Sequence, residues 1–303
     1  MIRHDRSDDR RHERGASVGP TGGPGGGCRD RERGDRCAAL VLLGALVLVS
    51  AAAGAAALFA AAPPPAAATP AGDPDGPDLR AVMQKQDDLY RSASSYSEVT
   101  MEIVTPHWER TLEMRVWTAG LDRTFIRILE PRKEQGVGTL RIGDEMWNYL
   151  PKTNKVIKVP PSMMMGSWMG SDFTNDDLVD EFTYLDDYTW SWADVDTTDP
   201  GTLYVRCTPK EGVPVVWGHL ILALRESDYL PVREQYFDEK GRLMRTMRFS
   251  EVRQFGERTL PSVMELVPAN KEGNRTIVRY EEAEFDIAVD DDTFTLRNLR
   301  SPR

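Results

Sequence analysis

From Tyr96 onward the apolar residues of this chain recur at every second position. Val99, Met101 and Ile103 alternate with Glu98, Thr100 and Glu102, and Leu112, Met114 and Val116 alternate with Thr111, Glu113 and Arg115. A period of two belongs to an extended backbone whose successive side chains point to opposite faces, so these stretches predict half-buried antiparallel strands. Ala119-Gly120 supplies a turn, and residues 124–129, 138–142 and 146–150 continue the series. Strands resume at 184–192, 203–208, 215–224, 230–237, 243–252, 262–268 and 276–286, separated by turn signals such as Pro200-Gly201, Glu239-Lys240-Gly241 and Glu272-Gly273-Asn274. About ten to eleven strands in mainly meander order predict a mainly β (α+β) fold, a curved sheet or open barrel rather than a sandwich. Phe294 and Leu296 read as a last anchoring contact.

The strands are preceded by one helix. Leu79, Val82, Met83, Gln86, Leu89 and Tyr90 follow helical spacing, with Arg80, Lys85, Asp87 and Arg91 on the other side. This predicts an amphipathic helix of about 16 residues, started by Asp78 as N-cap. A second, short acidic helix is expected after Phe173 from Asp176, Asp177, Asp180 and Glu181 with Leu178 and Phe182.

Upstream of Asp78 the composition is not that of a folded domain. Residues 1–36 hold nine arginines and seven acids among Gly and Pro and read as a disordered charged leader. Residues 37–62 carry no charge, open with AALVLLGALVLV and follow Arg29, Arg31, Arg33 and Arg36, the pattern of a secretory signal peptide or a retained signal anchor. Residues 63–77 are a Pro/Ala-rich linker, which leaves 78–303 as the folded domain. Neither Cys28 nor Cys37 has the context of a lipidated cysteine. After export Cys207 stands alone, so no intramolecular disulfide forms; beside Leu203 and Val205 on one strand face it reads as a buried inert thiol.

The chain carries a net charge of −10, and the leader contributes +2 of positive charge, so the remainder is more acidic still at −12. An acidic domain without basic patches is a poor partner for nucleic acid or for an anionic membrane. The sequence meets no pattern of a catalytic or metal site. His107 and His219 have no neighbouring Cys or His, and Gly166-Ser167-Trp168-Met169-Gly170 is out of register with a nucleophile elbow. Asp290, Asp291 and Asp292 lack the alternating ligand spacing of a calcium loop, and Gly136-Val137-Gly138 lacks the Lys-Ser/Thr and helix of a phosphate cradle. No catalytic residue, metal or cofactor is expected.

The stretch WNYLPKTNKVIKVPPSMMMGSWMGSDFTNDDL, residues 147–178, is the most distinctive. Its first half predicts a hairpin. Its second half places Met163, Met164, Met165, Trp168, Met169 and Phe173 beside Gly166 and Gly170. Thioether side chains either plug irregular gaps in a core or repack around ligands of varying shape, and both readings stay open. The 215–224 strand is apolar on both faces, so its second face needs a cover, from the helices or from a ligand.

With the upstream ILEPRKEQGVGTLRIGDEMWNYLP and the MGSDF motif at 169–173, this stretch resembles the LolA-like family of outer-membrane lipoprotein-sorting proteins, over residues 79–299. The chain departs from that family at Asn175, where an aromatic residue is common. The resemblance implies a half-open β-barrel, a strongly curved antiparallel sheet with a short helical lid, holding lipid acyl chains on its concave face. It implies a monomeric, non-enzymatic periplasmic carrier of lipid or acylated lipoprotein cargo, with an inner-membrane transporter and an outer-membrane acceptor as partners. Trp147, Tyr149, Met163, Met164, Met165, Trp168, Met169 and Phe173 are the expected ligand-lining residues. A lipid-sensing adaptor that binds a protein partner, or a soluble accessory of a lipid exporter, are the alternatives.

Overall fold

A computed structural model describes residues 77–178, 183–195 and 199–301. The leader, the apolar segment, nearly all of the linker, and Asp180, Glu181 and Phe182 lie outside the described residues.

Asp78 accepts the Arg80 N–H at 3.0 Å and starts α1 (Leu79–Tyr90), which has 12 residues. It is shorter than its periodicity suggests because the backbone turns extended at Arg91. Val82, Met83, Gln86 and Leu89 are buried as their spacing requires, and so is Asp87, which the charge pattern puts outside. The Asp87 carboxylate accepts the N–H groups of Tyr184 at 2.9 Å and Leu185 at 3.0 Å, the open donors of α2 (Tyr184–Asp187). That tertiary contact, with Thr183 as N-cap, also explains why residues 184–187 are helical where alternation predicts strand. Of the acidic segment after Phe173, the described residues form a 3-10 turn, Asp176–Leu178.

Among the described residues thirteen strands form a single antiparallel sheet, against the ten or eleven expected. They are β1 (Ser94–Val104), β2 (Glu109–Ala119), β3 (Arg123–Glu130), β4 (Gly138–Ile142), β5 (Glu145–Leu150), β6 (Lys155–Lys158), β7 (Tyr188–Trp192), β8 (Thr202–Pro209), β9 (His219–Arg225), β10 (Pro231–Phe237), β11 (Leu243–Phe255), β12 (Arg258–Pro268) and β13 (Arg275–Phe285). The order is β6-β5-β4-β3-β2-β1-β13-β12-β11-β10-β9-β8-β7. Two meanders are therefore joined by the β1–β13 ladder, and the strongly curved sheet stays unclosed, with β6 and β7 as its edges. β9 begins at His219 rather than Val215, since Gly218 passes so near the backbone of Asp238 that a Cβ would lie 2.4 Å from its carbonyl oxygen.

The register carries one face across nearly the whole sheet. Leu222 pairs with Glu234, Glu234 with Met247 and Met247 with Leu266; Phe249 pairs with Met264, Met264 with Val278, Val278 with Met101 and Met101 with Leu112. Directly paired residues of an antiparallel sheet share a face. This inner face has two roofs. Val82 and Met83 of α1 cover Val205, Cys207, Leu220, Leu222 and Leu224 on one half. Trp168 covers Val99, Met101, Ile103, Met114 and Ile128 on the other.

The outer face is covered separately. The C-terminal segment seats Phe294 and Leu299 on Phe125, Leu140 and Tyr149. Arg127, buried, donates to the carbonyls of Asn298 and Leu299 at 2.9 and 3.0 Å and closes α3 (Leu296–Leu299). Leu299 is the anchor and Leu296 is exposed. Gly138 is required there by close packing rather than flexibility, because a Cβ would meet Leu299 Cδ1 at 2.8 Å. Ile221 and Ala223 give β9 its second apolar face, covered by Ala193, Val195 and Phe237. No ligand is needed to explain that face.

Candidate functional site

A cavity of about 390 Å³ opens on the inner face where neither roof reaches. Gln86 and Tyr90 from α1 line one side, Phe173 and Asp177 from the Met-rich segment the other. Its floor is sheet: Trp217 and Tyr236 toward β9 and β10, Met247 and Phe249 on β11, Met264 and Tyr280 on β12 and β13. Tyr90 stacks on Tyr280 at 6.0 Å and donates its hydroxyl to the Pro261 carbonyl at 2.8 Å.

A polar group sits within these aromatic walls. Arg245 makes a bidentate ion pair with Asp177, at 2.7 and 2.8 Å, and lies over the rings of Tyr236 at 4.2 Å and Trp217 at 4.5 Å. Burial pushes the Asp177 carboxyl up, but Arg245 and the N–H and hydroxyl of Thr174 together hold it below its usual range. Beside the pair, Glu234 accepts the Tyr184 hydroxyl at 2.7 Å. Burial raises the Glu234 carboxyl above its usual range against the opposing phenols of Tyr184 and Tyr236. Burial likewise raises Asp87, against its two backbone donors. The pair ties the Met-rich segment to β11, while Asp87 ties α1 to α2, so both roofs are fastened at the cavity rim.

Of the eight residues expected to line a ligand, only Phe173 borders this cavity. Trp168 is buried in the roof, donating Nε1–H to Thr139 Oγ1 at 3.2 Å, and Met169 packs beside it with its carbonyl bound by Arg110. Met164 is half-buried, and Met163 and Met165 are exposed. Trp147 and Tyr149 point to the outer face, with Phe294 and Leu299, because Asn148 between them takes the inner position opposite Thr139. An aromatic strand does not announce which of its faces is inside. Asn175 ties the loop where an aromatic residue is common in the resembled family: its side-chain amide donates to the carbonyls of Met163 at 3.0 Å and Gly166 at 3.2 Å.

Arg245, Glu234, Tyr184, Tyr236 and Asp177 are absent from the sequence-based set. A signal for two of them exists: at a period of two Glu234 falls in step with Val232 and Tyr236, and Arg245 with Leu243 and Met247, so each charge falls on the apolar side of its strand, where an unpaired charge is too costly to persist. Asp290 caps the following turn, and Asp291 and Asp292 pair with Arg123 and Arg297. Among the described residues no cluster of three His, Cys, Asp or Glu is placed to hold a metal, and no helix is long and apolar enough to cross a membrane.

An unclosed, strongly curved antiparallel sheet, roofed on its inner face by short helices and a loop over a cavity, is the LolA-like half-barrel. The chain matches a DUF1329 family protein from Desulfovibrio piger with a TM-score of 0.64 and 22% identity, over 72% of this chain and 96% of that one. It matches a candidate outer membrane lipoprotein-sorting protein domain from Vibrio parahaemolyticus with a TM-score of 0.62 and 18% identity, over 74% and 98%. It also matches a LolA superfamily protein from Nitrosomonas europaea with a TM-score of 0.60 and 19% identity, over 74% and 100%. At these identities the likeness is one of fold. No curated protein matches the sequence. Residues 120–301 match the model of a family described as "-like: Uncharacterized protein", and the chain belongs to that family.

Proposed function

We propose that the protein is a non-enzymatic carrier that shields lipid acyl chains, free or on a lipoprotein, during transfer between the membranes of a bacterial envelope. The observation that carries this reading is the cavity between two separately anchored roofs, walled by aromatic and methionine side chains. Its volume falls within the range of about 300–1,000 Å³ typical of small-molecule pockets. Each buried methylene is worth about 0.8 kcal/mol, so a chain of roughly 16 carbons faces a cost on the order of 12 kcal/mol to cross water bare. Crossing an aqueous compartment needs a container. Phe173, Met247, Phe249 and Met264 supply its apolar wall.

The apolar segment at 37–62 supplies the export that places the domain in the periplasm. An inner-membrane transporter as donor and an outer-membrane acceptor complete the path. Gentle purification of the exported protein, followed by native mass spectrometry, tests the reading. Stoichiometric phospholipid or acylated peptide is the expected result. An empty protein that also fails to take up a fluorescent fatty acid would refute the carrier and move the weight to a protein-binding adaptor.

A further inference from the structure

The acidic character of the chain reverses locally. From Met146 through Ser171 there is no acidic residue, and Lys152, Lys155 and Lys158 fall within seven positions. Lys158 pairs with Glu145, but Lys152 and Lys155 are exposed and make no ion pair among the described residues. Around them the exposed residues are apolar: Leu150 at 37%, Ile157 at 47%, Met163 at 59% and Met165 at 54%.

Ile157 and the methionine loop meet the same side of the sheet. Ile157 pairs with Asn148 and Asn148 with Thr139, so the three share the inner sheet face, and Thr139 is where Trp168 of the methionine loop is hooked. The loop is held open by its own bonds. Gly166 N–H binds the Met163 carbonyl, Asn175 binds the carbonyls of Met163 and Gly166, and Asp176 N–H binds that of Met164. The backbone is fixed, yet Met163 and Met165 are left outside. Lysines on an edge strand guard against strand addition, which accounts for Lys155 and Lys158 on β6 but not for two exposed methionines beyond it.

We propose that the 150–165 surface is a docking patch for an anionic lipid bilayer. Apolar tips that enter the headgroup layer, ringed by lysines that meet its negative potential, are the two contributions that hold a peripheral protein on such a surface. The charge argument selects this occupant: an acidic protein approaching an anionic membrane is repelled everywhere except where its acids are missing. The same segment reaches the cavity through Phe173, so docking here brings the cavity rim toward the bilayer.

The test is hydrogen exchange on the full-length chain, with vesicles of phosphatidylcholine alone or with about a third phosphatidylglycerol, at about 0.1 M salt. Slowed exchange in peptides spanning 150–167 is expected with the anionic vesicles only. Lys152→Glu with Lys155→Glu removes it, each lysine being worth about fivefold in partitioning. Met163→Ser with Met165→Ser weakens it at unchanged charge. Equal protection by both vesicle types, no protection, or protection that survives the charge reversal would each overturn the patch. The N-terminal segments are identical in every variant and give their own peptides, so their binding does not confuse the result. Docking by a protein that carries no lipid would remove the carrier reading and leave the patch standing.

Discussion

Replacing Asp177 by Asn removes the charge that Arg245 faces while keeping side-chain size. The two side chains are 15% and 10% exposed, and both hydrogen bonds are within 2.8 Å. Breaking a buried pair by removing one partner costs about 3–5 kcal/mol, because the other charge stays desolvated. Here the guanidinium keeps the faces of Trp217 and Tyr236 and the neighbouring Glu234 carboxyl, so the lower end of that range, about 3 kcal/mol, is the expected loss. Equilibrium urea unfolding near neutral pH measures it. The sign with pH is fixed by the direction of the shift. Asp177 lies below its ordinary value of 3.8 when folded, so its stabilisation is full above that value and is lost as pH falls through the folded value. The stability difference between wild type and variant should therefore shrink on acidification. A cycle with Arg245→Met separates the pair from each residue's other contacts, with a coupling of about 2 kcal/mol expected. A loss below about 1 kcal/mol that does not change with pH would show the pair to be solvent-screened, and the fastening of the loop to β11 would have to come from packing alone.

Two further substitutions follow from the same geometry. The Glu234 carboxyl lies above its ordinary value of 4.5 when folded, so its contribution is full below 4.5 and lost as pH rises through the folded value; Glu234→Gln should flatten the decline of melting temperature above that point, and an unchanged profile would contradict it. Met264→Glu in the cavity wall should weaken uptake of a fluorescent fatty acid by about tenfold or more, about 1.4 kcal/mol, with the far-UV circular dichroism retained. Trp147→Ala on the outer face should leave that uptake unchanged while costing about 2 kcal/mol of stability, and the reverse pattern would place the ligand on the wrong side of the sheet.

What the sequence shows and what it hides divide along physical lines. The strands at 96–104 and 109–119 follow from alternation alone, since one face is buried and the other is more exposed. Helix α1 follows from its 3.6 period and its Asp78 cap. Asp87 and the helical turn at 184–187 are invisible locally, because each exists only through the other, 97 positions away. Which face of β5 looks inward is also undecided by its own residues: Trp147 and Tyr149 are as apolar as any cavity wall, and the C-terminal segment that covers them is remote in sequence. The methionines are unusual in composition, but composition does not separate a roof, as at Trp168 and Met169, from an exposed tip, as at Met163 and Met165.

The buried charges explain why a cavity persists here. Around Arg245 and Glu234 the cavity floor is Met247, Phe249, Met264 and aromatic rings, and an all-apolar floor between α1 and the loop could collapse by small rotamer changes, since interiors pack to high density. Arg245 and Glu234 oppose this. Closing either roof over them completely would strip the remaining polarity from around the ion pair and the buried carboxyl, and desolvating such groups further is costly. The ties that satisfy them also set the spacing, because Asp177 holds the loop at the length of an Arg side chain and Tyr184 holds α2 at the length of a phenol. Stability is thereby exchanged for a defined gap. An apolar guest that fills the gap restores the lost packing without disturbing either tie, and so a container of this kind gains stability when it is loaded.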